Sequence, residues 1–488
     1  MNRFSFTIIL LGLFLPNVFS QRLNEAIKTF VNDNDFKYGG ISVSVVDVES
    51  GKLLAGHNSN LGLTPASSLK VITTAAALHY LGDNFRFKTE LQYDGEIDEN
   101  GTLNGNLFIK GFGDPTLGSP HFDKAEKLDV VMQKFVEAIQ AAGIKKINGH
   151  IIGDASFFES EVIGAKWLWE DLGNYYGAGM HGLNIQENLY FIDFQQVGKV
   201  GERPKIVATR PSIPNLLLLN EVKSEVKGSG DNAFVFGAPY TYTRYVRGTI
   251  PVGNKKFTVK GSIPDPPFFA AHYLAGFLEK NGIETAKLTA SYFDLERENK
   301  ISDAKRNVFY TYQSPTLRDI VEKTNMKSVN LYCEAMLRML GKEVKGKGTP
   351  EAGLEAIYDF LKSKKMNTEG FFLLDGSGLS PMNSATTFQM ASAIRIILND
   401  NKISDSFKNS MPVSGKSGSM KYMLKGTSAA GKVFAKSGGM ERVRSYTGFV
   451  KTKKGKVVSF SMIANNFIGK SSQVRKKMEK LMLAIYEN

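Results

Sequence analysis

The sequence predicts an α/β (α+β) protein in which an antiparallel sheet is flanked by helices and carries inserted, mainly β modules. Three observations support this class. Strand patterns occur near both chain ends: Ile41 to Val45 alternates apolar and polar side chains, and residues 445–451 and 456–464 flank a Lys-Lys-Gly turn. Helical spacing dominates after Pro315. The middle of the chain is rich in Gly, Pro and aromatic residues, which is typical of short strands and turns.

The length of the chain indicates more than one hydrophobic core. It has 488 residues, of which 42% are hydrophobic and 22% charged, an ordinary globular composition. A single core rarely grows to this size, so two or three domains are expected. We expect residues 21–87 and 301–488 to form one domain. Residues 88–300 are expected to form inserted material, most simply two domains.

The predicted elements can be placed in chain order. A short helix at 22–33 precedes a hairpin, and Thr64-Pro65-Ala66 introduces a helix that runs from Ser67 to about Leu81 and ends at Gly82. The inserted region is predicted to contain strands at 149–153, 205–209, 233–237 and 257–261 and helices at 128–142 and 267–281. Helices at 317–324, 330–340, 350–362, 385–400 and 472–486 are predicted to follow.

The first twenty residues have the pattern of a secretory signal peptide. Arg3 supplies a positive charge, Phe6 to Leu15 is apolar, and Val18-Phe19-Ser20 offers a cleavage site before Gln21. The apolar run is short for a membrane span, and a buried N-terminal helix is the alternative. We therefore expect residues 1–20 to be removed and the protein to lie in the periplasm or cell envelope, with no transmembrane segment after cleavage.

Charge and cysteine content exclude several functions. The formal net charge is +13, which fits a well-solvated surface or weak attraction to an acidic wall or membrane, so peripheral membrane contact stays open. Export argues against a nucleic-acid partner. Cys333 is the only cysteine and lies in an apolar stretch, and no His-Glu-x-x-His pattern occurs, so neither a disulfide nor a zinc site is expected. No metal or organic cofactor is predicted.

Ser67-Ser68-Leu69-Lys70 is the first candidate for catalysis. The spacing places Ser67 and Lys70 on one helical face, where they can touch. A serine hydroxyl becomes a good nucleophile when a neighbour removes its proton, and a partly buried lysine can lose its charge and do so. The motif alone is common, and a capped helix with an exposed lysine is its ordinary explanation.

Two further short motifs carry suitable polar groups. Ser328-Val329-Asn330 stands at the head of an amphipathic helix, where its hydroxyl and amide can relay a proton and hold a peptide group. Lys436-Ser437-Gly438-Gly439 precedes the last hairpin. A lysine and a hydroxyl can bind a carboxylate, and Gly438 and Gly439 let a substrate backbone approach closely. Taken singly, these motifs fit a helix cap and a turn.

In this order the three motifs match the signature of penicillin-binding proteins and serine β-lactamases. The chain resembles the low-molecular-mass class C penicillin-binding proteins, the D-Ala-D-Ala carboxypeptidase/endopeptidase family S13. The similar stretches are Pro65–Lys70, Gly105–Leu107, Gly111–Leu117, Asp171–Gly179, Ser328–Tyr332, Asp375–Ser380 and Ala435–Gly438. The long gap between Lys70 and Ser328 favours this family over a β-lactamase, because its members carry domains inserted there.

Several positions depart from the family pattern. Ser437 stands where Thr is usual, Val329 where Asp is frequent, and Pro381 where many members have Arg. The last difference argues against assuming that an anionic side chain of the wall peptide is recognised there. A second Lys-Ser-Gly begins at Lys416. We prefer Lys436 because the hairpin follows it directly.

The resemblance implies a transpeptidase-like catalytic fold and a set of roles. Ser67 is implied as nucleophile and Lys70 as the likeliest base, with Ser328 passing a proton to the leaving amine and Asn330 holding the substrate backbone. Lys436 and Ser437 are implied to hold the terminal carboxylate. The backbone N–H groups of Ser67 and Gly439 are implied to form the oxyanion hole. Peptidoglycan stem peptides are the implied substrates, and β-lactam antibiotics the implied inhibitors.

Rival functions differ in what they require. A serine β-lactamase would share the fold and hydrolyse its acyl-enzyme quickly, whereas an inert wall-binding protein would keep the fold without acylation. A Ser-His-Asp hydrolase lacks support because no Gly-x-Ser-x-Gly occurs. The balance between carboxypeptidase and endopeptidase activity stays open.

Overall fold

The structure is a computed structural model that describes residues 15–122, 127–301 and 304–488, with side chains from residue 21 onward. The predicted signal peptide lies largely outside the described residues and stays a prediction. Among the helices that are described, none is both long and apolar enough to cross a bilayer.

The helices predicted from periodicity are present, with adjusted ends. The helix expected at 22–33 begins at Leu15, and the helix expected from Ser67 begins at Lys70 after a 3-10 turn at Ala66–Leu69. The described helices are α1 Leu15–Val31, α2 Lys70–Leu81, α3 Leu128–Ala141, α4 Trp169–Leu172, α5 Pro266–Lys280, α6 Tyr292–Arg297, α7 Leu317–Lys327, α8 Asn330–Lys345, α9 Pro350–Ser363, α10 Thr387–Leu398, α11 Ser404–Ser410 and α12 Ser471–Glu487.

The described strands are distributed over several separate sheets. They are β1 Gly40–Asp47, β2 Leu53–His57, β3 Lys88–Tyr93, β4 Glu96–Ile97, β5 Thr102–Asn104, β6 Leu107–Gly111, β7 Lys146–Ile147, β8 Ile151–Asp154, β9 Leu189–Gln195, β10 Lys205–Arg210, β11 Leu217–Asn220, β12 Lys223–Glu225, β13 Asn232–Phe236, β14 Thr243–Pro251, β15 Lys256–Ser262, β16 Glu284–Thr285, β17 Thr289–Ser291, β18 Asn307–Gln313, β19 Val433–Met440, β20 Val443–Lys451 and β21 Val457–Asn465.

One antiparallel sheet joins the two ends of the chain, in the order β19-β20-β21-β1-β2, and we call it the terminal sheet. One face packs with α1 and α12 through alternating apolar side chains such as Val43, Val45 and Met462. The other face carries small hydroxyl side chains, and the Ser42 and Ser44 hydroxyls lie 2.6 and 2.8 Å from Thr387 Oγ1 on α10. The predicted antiparallel sheet flanked by helices is confirmed.

The helical layer beside the terminal sheet buries α2 from Lys70 to Leu78. Val71, Ile72 and Ala75 have no exposed surface, because α2 packs among α7, α8 and α9. An apolar helix surrounded in this way is held rigidly. The turn at the start of α2 is therefore a fixed point of the structure.

The region between β2 and α7 forms four further sheets. The largest has the order β17-β8-β6-β3-β18 and packs against α5 through the buried Phe269, Ala270 and Leu274. Its edge strand β18 pairs with β3, so the hydrogen bonding of this sheet extends past residue 300. Among the described residues, three smaller sheets have the orders β10-β9-β15, β16-β7-β5-β4 and β11-β14-β12, and in the last of these β13 also pairs with β14. The division of the chain at residues 88 and 300 stays a prediction.

Candidate active site

Ser67 lies in a tight turn. Ala66 has φ of 46°, in the left-handed region, and the 3-10 turn Ala66–Leu69 then leads into α2. The Ser67 side chain is partly exposed, whereas Ser68 is buried and its hydroxyl donates to Pro65 O at 2.7 Å. Of the two adjacent serines, Ser67 is the one available to a ligand.

Lys70 lies directly behind Ser67. Its ammonium group donates to Ser67 Oγ at 3.0 Å, to Asn330 Oδ1 at 2.6 Å and to the Ser377 carbonyl at 2.6 Å. The residue has no exposed surface. Burial lowers the pKa of Lys70 below its ordinary value, while the nearby Glu334 and Asp375 act in the opposite direction. A lysine placed and buried in this way can take a proton from the Ser67 hydroxyl.

The second motif forms the junction between α7 and α8. Ser328 has φ of 61° and ends α7, so the chain turns and Asn330 begins α8. The Asn330 amide accepts from Lys70 and donates through Nδ2 to the Tyr176 carbonyl at 2.8 Å. Its orientation is therefore fixed from both sides.

The third motif lies on the edge strand β19. Lys436 has no exposed surface, and its ammonium group donates to Ser328 Oγ and to the Ser437 carbonyl at 2.8 and 2.9 Å. Burial, with a smaller contribution from the charge of Lys70, holds the pKa of Lys436 well below its ordinary value. A Cβ added at Gly438 would lie 2.5 Å from Pro65 O, so β19 lies against the Ser67 turn.

The structure brings Ser67, Lys70, Ser328, Asn330 and Lys436 together as one group made of two hydrogen-bonded sets: Lys70 bonds to Ser67 and Asn330, and Lys436 bonds to Ser328. Ser67, Ser328 and Asn330 line the same cleft. Ser437 is partly exposed, and Gly439 lines the same cleft as Ser67. Lys416 of the alternative Lys-Ser-Gly is exposed on a surface loop and is not among the residues that line this cleft.

The group opens into a cleft of about 920 Å³. Ser67, Ser328, Asn330 and Gly439 form part of one wall. The inserted region supplies the other wall with acidic and aromatic side chains and one lysine, namely His121, Glu170, Asp171, Tyr175, Tyr176, Glu187, Phe191, Phe234 and Lys260. Such a cleft can hold an extended polar ligand beside Ser67.

The family of the chain can be assigned at this point. A profile of the D-Ala-D-Ala carboxypeptidase 3 (S13) family matches residues 23–487. The chain belongs to this family. S13 membership confirms the predicted family and, with it, the predicted class of enzyme, a serine-type D-Ala-D-Ala carboxypeptidase.

Individual relatives agree with the S13 assignment. The chain is 28% identical to a D-alanyl-D-alanine carboxypeptidase of Actinomadura sp. (strain R39), over 92% of this chain and 81% of that one. It is 25% identical to the D-alanyl-D-alanine carboxypeptidase DacB of Haemophilus influenzae, over 86% and 84% of the two chains. The crystal structure of penicillin binding protein 4 (dacB) from Haemophilus influenzae has a TM-score of 0.77 at 22% identity, covering 98% and 100%, and shows that the fold is shared.

The S13 chain also has site residues that sequence reasoning did not single out. Glu334, one helical turn after Asn330, is buried and accepts from the backbone N–H of Ser377 at 2.8 Å. Asp375 accepts from Gly378 N at 2.7 Å and from Trp167 Nε1 at 2.8 Å. These carboxylates hold the loop whose Ser377 carbonyl binds Lys70. The sequence could have pointed to Glu334, because it is an acidic residue within an apolar stretch of α8.

Proposed function

We propose that the chain cleaves the terminal D-Ala-D-Ala bond of peptidoglycan stem peptides through an acyl-enzyme on Ser67. The observation that carries this proposal is the 3.0 Å hydrogen bond between Lys70 Nζ and Ser67 Oγ at the mouth of the cleft. Nucleophilic catalysis by serine needs a base at this distance with a lowered pKa. The Lys70 amino group meets both requirements, because burial lowers its pKa and so favours the neutral form.

Acylation would proceed in two proton transfers. Neutral Lys70 takes the proton of Ser67 Oγ while that oxygen bonds to the penultimate carbonyl carbon. The N–H groups of Ser67 and Gly439 would stabilise the negative oxygen that forms. The C–N bond then breaks, and Ser328 gives a proton to the departing D-Ala amine. Lys436, 2.8 Å from Ser328 Oγ, can restore that proton.

The terminal carboxylate is assigned to Ser437 with support from Lys436. Ser437 is partly exposed on β19 and stands two residues before Gly439, which lines the cleft, whereas Lys436 is fully buried; we therefore assign direct contact with the carboxylate to the Ser437 hydroxyl. Asn330 would hold the substrate backbone beside Ser67. Water then hydrolyses the ester: its oxygen bonds to the acyl carbon, Ser67 Oγ leaves and takes back the proton held by Lys70, and the proton that water loses returns to Lys436 through Ser328.

Penicillins are proposed to acylate Ser67, because their strained amide and their carboxylate resemble the terminal dipeptide. The crystal structure of the Haemophilus influenzae protein has also been determined in complex with a β-lactam. This supports the choice of a β-lactam as the probe for Ser67.

A labelling experiment tests the assignment. Ser67→Ala should abolish covalent labelling by a tagged penicillin, and a digest of the unaltered protein should place the adduct on the peptide that contains Ser67. Ser419→Ala, at an exposed serine, is the control and should label normally. An adduct on another serine would refute the assignment. Purified muropeptides separate carboxypeptidase from endopeptidase products, and rapid turnover of a chromogenic β-lactam would favour a β-lactamase.

We also propose that the protein acts outside the cytoplasm, in the periplasm or cell envelope. The signal-peptide pattern of residues 1–20 supports this location, as does a substrate in the cell wall. N-terminal sequencing of the protein recovered from the envelope should begin at Gln21. An intact N-terminus in the cytoplasmic fraction would contradict it.

A further inference from the structure

Two small sheets of the inserted region present aromatic side chains where polar ones are usual. In β13, Ala233 and Val235 are buried while Phe234 and Phe236 point outward, and on β14 the outward residues include Tyr245. The solvent face of an antiparallel sheet is ordinarily polar. Clustered exposed aromatic side chains usually mark a binding surface.

We call this surface the aromatic face and define it by Trp169, Tyr175, Phe191, Phe234, Phe236 and Tyr245. Trp169 is 54% exposed, and its ring lies 6.4 Å from that of Phe236. The face is continuous with the catalytic cleft, because Tyr175, Phe191 and Phe234 also line that cleft. Whatever occupies the aromatic face is therefore next to the ligand of Ser67.

Cations lie over several of the rings, and the two arginines among them are paired with carboxylates. Arg247 lies 5.0 Å from the Tyr245 ring centre and pairs with Glu221, while Arg210 lies 5.2 Å from Phe191 and makes two hydrogen bonds to Asp193. A guanidinium held between a carboxylate and a ring fixes that ring in place. The exposed Lys260 also lies over this surface, 5.1 Å from the Tyr175 ring centre at the end that lines the cleft. The carboxylates of Glu221 and Asp193 offset the charges of the two arginines, so the part of the aromatic face away from the cleft suits an uncharged ligand better than an anionic polymer.

The aromatic face is also tied to the catalytic residues through one segment, residues 168–177. Asn174 Oδ1 accepts from Val235 N at 3.0 Å, and the Gly173 carbonyl accepts from Ser262 N at 2.8 Å. At the end of the segment, the Tyr176 carbonyl accepts from Asn330. The position of the aromatic rings relative to Asn330 is thereby fixed.

We propose that the aromatic face binds the glycan strand, a neutral chain of N-acetylated hexosamines, to which the stem peptide is attached. This inference rests on the proposed function for the identity of the polymer. The apolar faces of sugar rings pack on flat aromatic rings. Tyr175, Phe191 and Phe234 line the cleft whereas Trp169, Phe236 and Tyr245 do not, so the aromatic face extends from the cleft onto the surface beside it, where the polymer that carries a bound stem peptide can lie. The surface would select peptides that are still attached to glycan.

Binding can be measured without catalysis. The probe is a β-1,4-linked N-acetylglucosamine oligomer, which carries no charge. Isothermal titration calorimetry measures binding in every variant, because the fluorescence of Trp169, the exposed one of the two tryptophans, is lost when that residue is replaced. Trp169→Ala/Tyr245→Ala should weaken binding by about fivefold or more. It should also raise KM for glycan-attached peptide while leaving penicillin acylation of Ser67 within about twofold.

A matched variant controls for the loss of exposed aromatic surface. Tyr38 and Tyr422 are each 72% exposed, each has a lysine over its ring, and neither lines the cleft. Tyr38→Ala/Tyr422→Ala should bind glycan like the unaltered protein. If the first double variant loses acylation through misfolding, Trp169→Ala alone replaces it.

The outcomes separate this inference from the proposed function. Glycan binding that is absent in the unaltered protein, or equal in the Trp169/Tyr245 variant, would overturn the inference. The inference would also be overturned if the unaltered protein bound phosphatidylglycerol vesicles but no glycan, and the Trp169/Tyr245 variant lost that vesicle binding. Absence of penicillin acylation in the unaltered protein would instead refute the proposed function, and glycan binding would still be measured on its own.

Discussion

Two lysine side chains of this site are buried, and their burial determines how readily each can give up or accept a proton. Lys70 and Lys436 have no exposed surface, and desolvation lowers the pKa of each. A buried ammonium loses its proton more easily than a solvated one. Each lysine contacts one serine hydroxyl, Ser67 or Ser328, so each can exchange a proton with its own partner.

Glu334 offers a test of how the charge of Lys70 is controlled. Burial and the neighbouring Asp375 raise the pKa of Glu334 to about 7, and ionised Glu334 raises the pKa of Lys70. Glu334→Gln removes that negative charge, so the pKa of Lys70 should fall. The acid limb of the acylation rate should therefore move to lower pH. The measurement is the pH profile of labelling by a tagged penicillin.

The control for this experiment is Glu322→Gln, at an exposed glutamate on α7, which should leave the profile in place. Stability gives a second readout with a known sign. The folded state holds the Glu334 proton more tightly than the unfolded chain does, so the free energy of unfolding should fall as pH rises from about 4.5 to about 7. Glu334→Gln should reduce that slope. An acid limb that stays or moves to higher pH would contradict the assignment.

At the scale of secondary-structure elements, the Ser67 turn is shaped by what packs around it. Gly378 has φ of 77°, and a Cβ added there would lie 2.1 Å from the Ala66 carbonyl oxygen. That contact is far too short for real atoms, so Ala66 would have to move and Ser67 with it. The left-handed Ala66 therefore depends on the loop that follows Asp375.

Gly378→Ala should consequently lower the rate of Ser67 acylation by tenfold or more, on the order of the loss expected when a reacting group is displaced by about 1 Å. Gly370→Ala is the matched control, since Gly370 also has φ of 77° but nothing lies within 4 Å of an added Cβ. Both variants carry the same backbone strain. Equal acylation rates in the two variants would show that the contact with Ala66 does not position Ser67.

The sequence predicted the helices well where the spacing of apolar residues defines their extent. The helix that became α5 was expected at 267–281 and the one that became α9 at 350–362, each within one residue of its observed ends. The turn at Ala66 was not predicted, because alanine favours right-handed helix and the sequence does not show that Gly378, far away in the chain, packs against the Ala66 carbonyl. The edge strand β19 was only partly anticipated, since its pairing with β20 is a property of the sheet.

At the scale of the whole molecule, the inserted region returns to the active site through residues 160–190. Trp167 donates to Asp375, the Tyr176 carbonyl accepts from Asn330, and the Glu161 carbonyl accepts from buried Arg338 at 2.6 Å. These contacts join parts of the chain that are far apart in sequence and have no periodic pattern. The motifs could therefore predict the catalytic residues. The residues of the inserted region that line the cleft could be identified only from the folded structure.

One buried cluster in this interface is suited to a stability measurement. Tyr332 on α8 donates its hydroxyl to Glu187 Oε1 at 2.6 Å, and Ser119 Oγ lies 2.8 Å from the same hydroxyl. Tyr332 has no exposed surface, and Glu187 is 5% exposed and lines the cleft. Because α8 also carries Asn330, this cluster links the inserted wall of the cleft to the catalytic helix.

Tyr332→Phe should lower the free energy of unfolding by about 1.5 to 3 kcal/mol, the usual range for losing a hydrogen bond to a buried charged group. Urea unfolding measures this loss. Tyr190→Phe is the control, because the buried Tyr190 hydroxyl has no hydrogen-bond partner among the described residues and its removal should cost little. If both variants lose the same stability, the hydroxyl of Tyr332 does not hold the interface together. A loss confined to Tyr332→Phe would indicate that the inserted wall and the catalytic helix are stabilised as one unit.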